Sequence, residues 1–353
     1  MRTSVACIDL FCGLGGLTHG LIKRKISVVK GIDLDSECKF PYESNNGAEF
    51  IEKDVSLVTG TELKKMFPKG KLRLLAGCAP CQPFSTYSRK SRRDGCDDKW
   101  NLVLEFGRLI REIQPELVTM ENVPQLLDHS VFEDFLSSLE GYSVDYKVIE
   151  CEKYGIPQSR RRLVLIASRL GAIKLMTPEE FKSEPATVHK AISHLPSLKA
   201  GECSVNDPLH RASKLSPLNL QRIRASKAGG TWRDWDKKLL ASCHRRATGS
   251  TYPAVYGRME WNRPAPTITT QCFGFGNGRF GHPEQDRAIS LREAAILQTF
   301  PDNYKFVPPN GTVRFSTIGR LIGNAVPVRL GELVAESLVE HLVSIEDPKV
   351  SGQ

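Results

Sequence analysis

No stretch of this 353-residue chain approaches the roughly 20 apolar residues that a membrane-spanning helix needs. Internal repeats and low-complexity tracts are also absent, so a solenoid or a fibrous array is not expected. The ten cysteines show no regular spacing, which excludes a disulfide scaffold and fits free thiols in a reducing compartment. Cys78 and Cys81 do form a C-x-x-C. No second such pair and no paired histidines complete a tetrahedral set, and Pro80 and Pro83 stiffen the turn, so zinc or redox use is disfavoured and no metal is expected. The glycine-rich turn at 13–16 lacks the last glycine of the dinucleotide fingerprint. Thr18 stands there, which counts against NAD.

Apolar residues make up 40% and charged residues 25% of the chain, ordinary values for a globular enzyme. Its length suggests a large domain plus a smaller one. The first residues run directly into a strand-like segment with no room for a signal peptide, so a cytoplasmic protein is expected. Lys and Arg exceed Asp and Glu by 49 to 40, a net charge of +9. Basic clusters at 89–93, 160–162, 222–227, 233–238 and 244–246 suit a polyanionic partner better than the total alone does.

The first 165 residues alternate short apolar strands with helical stretches, as an α/β doubly wound, Rossmann-like sheet would. Strands are expected at 5–10, 28–32, 72–76 and 116–120, with a closing pair at 142–149 and 162–167. Helices are expected at 13–21 and 102–113. From about residue 168 the periodicity weakens, and Pro, Ser, Lys, Arg and tryptophans accumulate in an irregular second domain. Helical pattern returns at 290–299 and after Pro327, and the last helix is expected to pack on the first domain.

Three local patterns carry chemistry. The run Gly77-Cys78-Ala79-Pro80-Cys81-Gln82-Pro83-Phe84-Ser85 places a thiol in a rigid turn after a buried strand, as a nucleophile requires. Asp9-Leu10-Phe11-Cys12-Gly13-Leu14-Gly15-Gly16 is a strand-to-helix turn whose glycines let backbone N–H groups approach a ligand. Asp33, closing the next strand, is spaced to bond ribose hydroxyls, which points to a nucleoside cofactor other than NAD. The third pattern is Gln158-Ser159-Arg160-Arg161-Arg162, in which Arg160 and Arg162, two apart on an extended segment, are expected to share one face.

These patterns, with Glu121-Asn122-Val123 and Gly323-Asn324-Ala325-Val326-Pro327 in the same order, resemble the cytosine-C5 DNA methyltransferases. The resemblance spans roughly 1–167 and 258–335. It implies an S-adenosylmethionine-dependent methyltransferase sheet formed by 1–167 plus 319–353, with a smaller target-recognition domain at 168–318. It implies S-adenosylmethionine as methyl donor and base flipping of a cytosine in a short double-stranded DNA sequence. Cys81 would add to cytosine C6, and Glu121 would protonate or hydrogen-bond N3. Arg162 would bond O2 and Glu121, with Arg160 nearer the thiol and phosphate.

By the same resemblance, Phe11, Gly13, Leu14 and Gly16 lie under the methionine moiety, and Asp33 takes the ribose. Leu34 packs on adenine, Asp54 and Val55 meet the adenine edge, and Pro80, Asn324 and Val326 complete the cofactor set. Asp33 is one methylene shorter than the family's usual glutamate. The stretch 82–100 resembles the family's mobile catalytic loop, and Gln82, Ser85 and Arg89 are candidate DNA contacts within it. Arg233, Arg245 and Arg246 are further candidates from the central segment. The partners implied are double-stranded DNA and, in a restriction–modification setting, a cognate restriction endonuclease. No membrane association is expected, and a monomer acting at the bacterial nucleoid is. Two alternatives stay open at this point: a transfer RNA cytosine-C5 methyltransferase, and a catalytically inactive DNA-binding homologue.

Overall fold

A computed structural model describes residues 4–80, 101–246 and 253–346. In chain order the first elements are β1 (Val5–Leu10), α1 (Gly16–Lys23), β2 (Ser27–Asp33), α2 (Lys39–Asn46), β3 (Glu49–Glu52) and α3 (Gly60–Met66). They are followed by β4 (Leu72–Gly77), α4 (Asn101–Ile113), β5 (Leu117–Asn122), α5 (Ser130–Ser137), β6 (Ser143–Glu150), β7 (Gln158–Ser159) and β8 (Arg161–Ser168). The remainder comprises α6 (Val188–Ile192), α7 (Pro217–Ala225), β9 (Ala265–Pro266), α8 (Leu291–Leu297), α9 (Phe315–Asn324) and α10 (Val328–Glu346).

The chain divides into two compact units, one of residues 1–154, 161–183 and 326–353, the other of 155–160 and 184–325. The expected boundaries near 167 and 318 thus shift to 183 and 325, and a six-residue piece, 155–160, joins the second unit. Among the described residues, no helix is long and apolar enough to cross a membrane.

The first unit is built on a seven-stranded sheet of order β3-β2-β1-β4-β5-β8-β6. Strands β3 to β5 are mutually parallel, and β8 runs antiparallel between β5 and β6. β1 and β5 are buried along their whole length, as strands covered by helices on both faces should be. One helical layer contributes Val103, Phe106, Ile110 and Phe135 to the core beneath Leu75, Val118 and Leu165. On α1, Gly20 allows contact with α10, because a Cβ there would meet the backbone O of Val328 at 2.3 Å and the N of Glu332 at 2.7 Å. The last helix therefore packs on the first unit as its sequence suggested.

Chain order reverses direction between β1 and β4. In an open parallel sheet the crevice beyond the carboxyl ends of two such strands is where ligands bind. Asp9 lies close to that edge, 1% exposed, and among the described residues no cation pairs with it. Its Oδ2 accepts the Thr18 hydroxyl at 2.6 Å, Thr18 meets the Tyr42 hydroxyl at 3.1 Å, and Oδ1 has no hydrogen-bond partner among the described residues. Burial, partly offset by the Thr18 bond and reinforced by the charge of Asp33, pushes its carboxyl up to about 7.

The second unit is more irregular. The two-residue strands β7 and β9 pair in parallel. A core of Ile223, Trp232, Trp235, Leu239, Phe275 and Ala288 holds its central part.

Two measurements test these packing assignments. Gly20→Ala should destabilise the protein by about 1–3 kcal/mol in chemical denaturation, since the added methyl meets backbone that cannot turn away. For Asp9 the folded pKa lies above the unfolded value near ~3.9. Its stabilising contribution is therefore complete below that value and is lost as pH rises through about 7. Asp9→Asn should gain stability relative to the unsubstituted protein on going from pH ~5 to pH ~8; a gap independent of pH would contradict this assignment.

Candidate active site

The carboxyl ends of β1 and β2 carry one part of the site. After β1 the chain turns through Phe11 (φ 55°), Gly13 (φ 50°) and Gly15 (φ 94°) before α1 begins. A left-handed Phe11 is a local strain that only surrounding structure can hold. Here Cys12 N–H donates to Ile32 O at 3.2 Å, and Gly15 N–H to Cys12 O at 3.0 Å. Asp33 fixes the turn from the neighbouring strand: its Oδ2 accepts Gly13 N–H at 2.8 Å and its Oδ1 accepts Asp35 N–H at 2.9 Å. Burial raises the Asp33 carboxyl despite these two bonds. The residue read as a ribose ligand thus also organises the glycine turn.

Leu34 follows directly and is 66% exposed. Beyond β3, Asp54 caps a short 3-10 turn, its Oδ1 accepting Ser56 N–H at 2.9 Å and the Ser56 hydroxyl at 2.8 Å. Val55 is buried, whereas Leu57 in the same turn is 68% exposed. Two exposed leucines after adjacent strands, each beside an aspartate, leave an apolar surface framed by acceptors. Leu57 was missed in the sequence because its signal is only an apolar residue after a capping aspartate. Leu14 and Gly16 are buried at the start of α1, Pro80 is exposed, and Val326 is buried ahead of α10. Asn324 is exposed at the end of α9, in the second unit.

The other part of the site lies at the ends of β4 and β5. Glu121 and Asn122 are the last two residues of β5, not members of a turn, and both are buried. Antiparallel pairing sets Glu121 opposite Val164 on β8 and Asn122 opposite Leu163, next to Arg162. Arg162 Nε approaches Glu121 Oε1 to 2.8 Å, with both side chains largely enclosed. The N–H is not directed at that oxygen, so the contact is an ion pair, and among the described residues Oε1 accepts no directed hydrogen bond. Asn122 Nδ2 donates to Ala79 O at 3.1 Å, and its Oδ1 accepts Val123 N–H at 2.8 Å. One side chain therefore ties the segment after β4 to the turn after β5.

Cys81, Gln82, Ser85 and Arg89 lie outside the described residues. Cys78 is described. Burial pushes its thiol well above the usual range, with the Glu121 and Asp9 charges acting in the same direction. That suits a neutral thiol.

The expected strand through 158–166 is interrupted at Arg160. β7 ends at Ser159 and pairs with β9, while β8 starts at Arg161 and joins the large sheet. Arg160 and Arg162 consequently fall in different units and do not share a strand face. Arg160 is buried, and its guanidinium donates to Gln158 Oε1 at 3.4 Å, Ile268 O at 3.2 Å and Ala325 O at 3.5 Å. Gln158 also donates to Gln298 Oε1 at 2.9 Å, and Gln298 to Ile322 O at 2.8 Å. Arg160 thus belongs to a buried polar network that joins α8, α9 and the Ile268 segment. Arg233 sits 5.6 Å from the Trp232 ring, Arg245 Nη2 donates to Lys237 O at 3.0 Å, and Arg246 is exposed after the same turn.

A profile of the C-5 cytosine-specific DNA methylases matches residues 5–340. The chain is 52% identical over 347 residues to the Type II methylase M.HgiDII of Herpetosiphon aurantiacus, covering 97% of each. It is 34% identical to the Type II methyltransferase M1.BsuMI of Bacillus subtilis (strain 168), over 94% of this chain and 80% of that one. A solved structure of a DNA modification methyltransferase encoded within an E. coli prophage superposes with a TM-score of 0.73 at 22% identity, over 97% of this chain and 100% of that one. That likeness concerns the fold alone. With a methyltransferase-type sheet, a glycine turn braced by Asp33 and a Glu121–Arg162 pair beside the segment leading to Cys81, this chain belongs to the C-5 cytosine-specific DNA methylase family.

Proposed function

We propose that the protein methylates carbon 5 of a flipped cytosine in a short duplex sequence, using S-adenosylmethionine and a covalent Cys81–C6 adduct. The observation that carries this reading is the pair of contacts at the end of β5, Glu121 with Arg162 and Asn122 with Ala79. They join an acid to the segment that leads into the thiol.

The cofactor residues fit such a donor. Gly13 and its neighbours offer close backbone approach, Asp33 and Asp54 offer carboxylates, and Leu34 and Leu57 offer exposed apolar surface for a purine. S-adenosylmethionine bound there supplies an electrophilic methyl group. Phe11, Gly13, Leu14 and Gly16 would hold its methionine part, and Asp33, Leu34, Asp54 and Val55 its adenosine. Pro80 and Val326 would complete the part of the site that the first unit carries.

Cytosine C5 is a weak nucleophile until C6 is attacked. The Cys81 thiolate forms a bond to C6, and the ring electrons move toward N3. Glu121 holds a proton at N3 and so stabilises the enamine. Arg162 keeps the Glu121 side chain in place and offers donors to the base O2, while Arg160 braces the second unit. C5 would then take the methyl group, leaving the donor as a neutral thioether; the C5 proton leaves to a base, and the C6–S bond breaks to release the thiolate. A stacked cytosine must leave the duplex for this chemistry, which gives Gln82, Ser85 and Arg89 a role beside the displaced base and Arg233, Arg245 and Arg246 a role on the duplex. Protection of DNA from a cognate endonuclease is the biological use this reading favours, because the chain is so similar to a Type II methylase.

Duplex DNA carrying 5-fluorocytosine at target positions should form a denaturation-resistant adduct with the protein and cofactor, and Cys81→Ser should abolish it while Cys78→Ser preserves it. A fully active Cys81→Ser protein would refute the covalent route. Glu121→Gln should lower kcat by about 10²-fold or more while leaving cofactor affinity unchanged in calorimetry. Equal loss of both would instead indicate collapse of the site.

A further inference from the structure

The second unit contains a groove of about 420 Å³ lined by Lys237, Lys238, Leu240 and Arg245. Its walls are two consecutive 3-10 turns, Lys237–Leu239 and Ser242–Arg245. Several contacts hold these turns in place. Arg245 Nη2 donates to Lys237 O at 3.0 Å, so the second turn is tied to the first. From beneath, the buried Arg222 donates Nε to Leu239 O at 2.8 Å, its guanidinium 5.5 Å from the Trp235 ring and 5.3 Å from Tyr256. His244, in the second turn, is buried and stacks on Trp232 with centroids 4.2 Å apart and planes 15° apart. Burial and the Arg222 charge lower the His244 pKa, so it serves as a neutral aromatic plate.

The groove's charge is one-sided. Among the described residues, Lys237 and Arg245 have no acidic partner, and Lys238 has only the exposed Asp236 at 3.8 Å, a contact worth little. Asp234, the next acid along the chain, turns its carboxylate to Thr231 N–H. Lysines are point charges without the flat two-point geometry that reads a base edge. Arg245 has already committed one arm of its fork to Lys237 O. Three cations on braced turns, with no amide side chain among the lining residues, match a phosphodiester rather than a base.

We propose that this groove is a preformed clamp for a DNA phosphodiester, in which Lys237, Lys238 and Arg245 position the duplex without reading its sequence. The proposal rests on the reading that duplex DNA is the substrate.

The test is binding of the full-length protein to a fluorescein-labelled mixed-sequence DNA duplex across ~50–200 mM salt. It is paired with bisulfite sequencing of DNA from cells expressing each variant. Each phosphate contact contributes a slope of roughly 0.9 in log affinity against log salt. The Lys237→Ala/Lys238→Ala variant should therefore lose about two units of slope and Arg245→Ala about one. Lys237→Arg/Lys238→Arg should keep the slope, and the methylated sequence context should be the same in all. All these side chains are exposed, so matching thermal melts exclude misfolding. An unsubstituted slope in the alanine variants, or a changed methylated context, overturns the clamp. A wild-type protein that neither binds the duplex nor methylates DNA overturns the DNA reading and the clamp with it. An active, salt-sensitive wild type whose alanine variants keep its slope overturns the clamp alone.

Discussion

The parallel pairing of β1 with β4, from Val5 opposite Leu72 to Leu10 opposite Gly77, is the constraint on which the first unit's chemistry depends. It sets the glycine turn after Leu10 and the segment after Gly77 at one edge of the sheet, and Cys78 N–H donates to Leu10 O at 3.3 Å across that edge. β5 pairs on the other side of β4, with Gly77 opposite Met120, so Glu121 emerges one residue beyond. A slip of one residue in either pairing would turn the polar groups from one face of the sheet to the other. The apolar side chains of β1, β4 and β5, nearly all fully buried, prevent that slip. The core fixes the register, and the register fixes how the ends of β1, β4 and β5 meet.

Sequence legibility followed the same physics. β1, β4 and α4 were readable because uninterrupted apolar runs and a strong helical period leave little choice of structure. β3, Glu49-Phe50-Ile51-Glu52, was not, since a four-residue edge strand with one buried side chain resembles a loop. The motif residues Glu121 and Arg162 were readable as types, but their approach needed the antiparallel insertion of β8 between β5 and β6, which no local pattern specifies. The break at Arg160 was missed for a related reason. Gln158 and Ser159 find their partners in Ala265 and Pro266, more than a hundred positions away. An alternating pattern in one segment cannot reveal that two of its residues belong to another sheet.

The two units treat charge in opposite ways. In the first, the buried Asp9 and the half-buried Asp33 are acids with raised pKa values and, among the described residues, no bonded cation, close to the carboxyl ends of β1 and β2. Such an arrangement costs stability in the isolated protein. A cationic ligand bound beside these strands would recover part of that loss, which accords with a sulfonium donor. In the second unit, three largely buried arginines meet acids of the same unit. Arg287 grips Glu293 with two contacts of 2.7 Å, Arg258 reaches Asp286 at 2.7 Å, and Arg292 meets Asp207 at 2.6 Å.

A net charge of +9 therefore says less about DNA than its size suggests. Arg160, Arg222, Arg258, Arg287 and Arg292 are all buried, and each guanidinium donates to protein carbonyls or carboxylates. Sequence clusters such as 222–227 mix these scaffold arginines with exposed ones, and only burial separates them. Removing a buried arginine would strand its acceptors and loosen the unit, reducing DNA binding without any contact having been lost. An exposed lysine at the groove can be removed with no such consequence. The distinction between support and contact, invisible in a charge count, is what lets a salt slope identify the residues that meet the duplex.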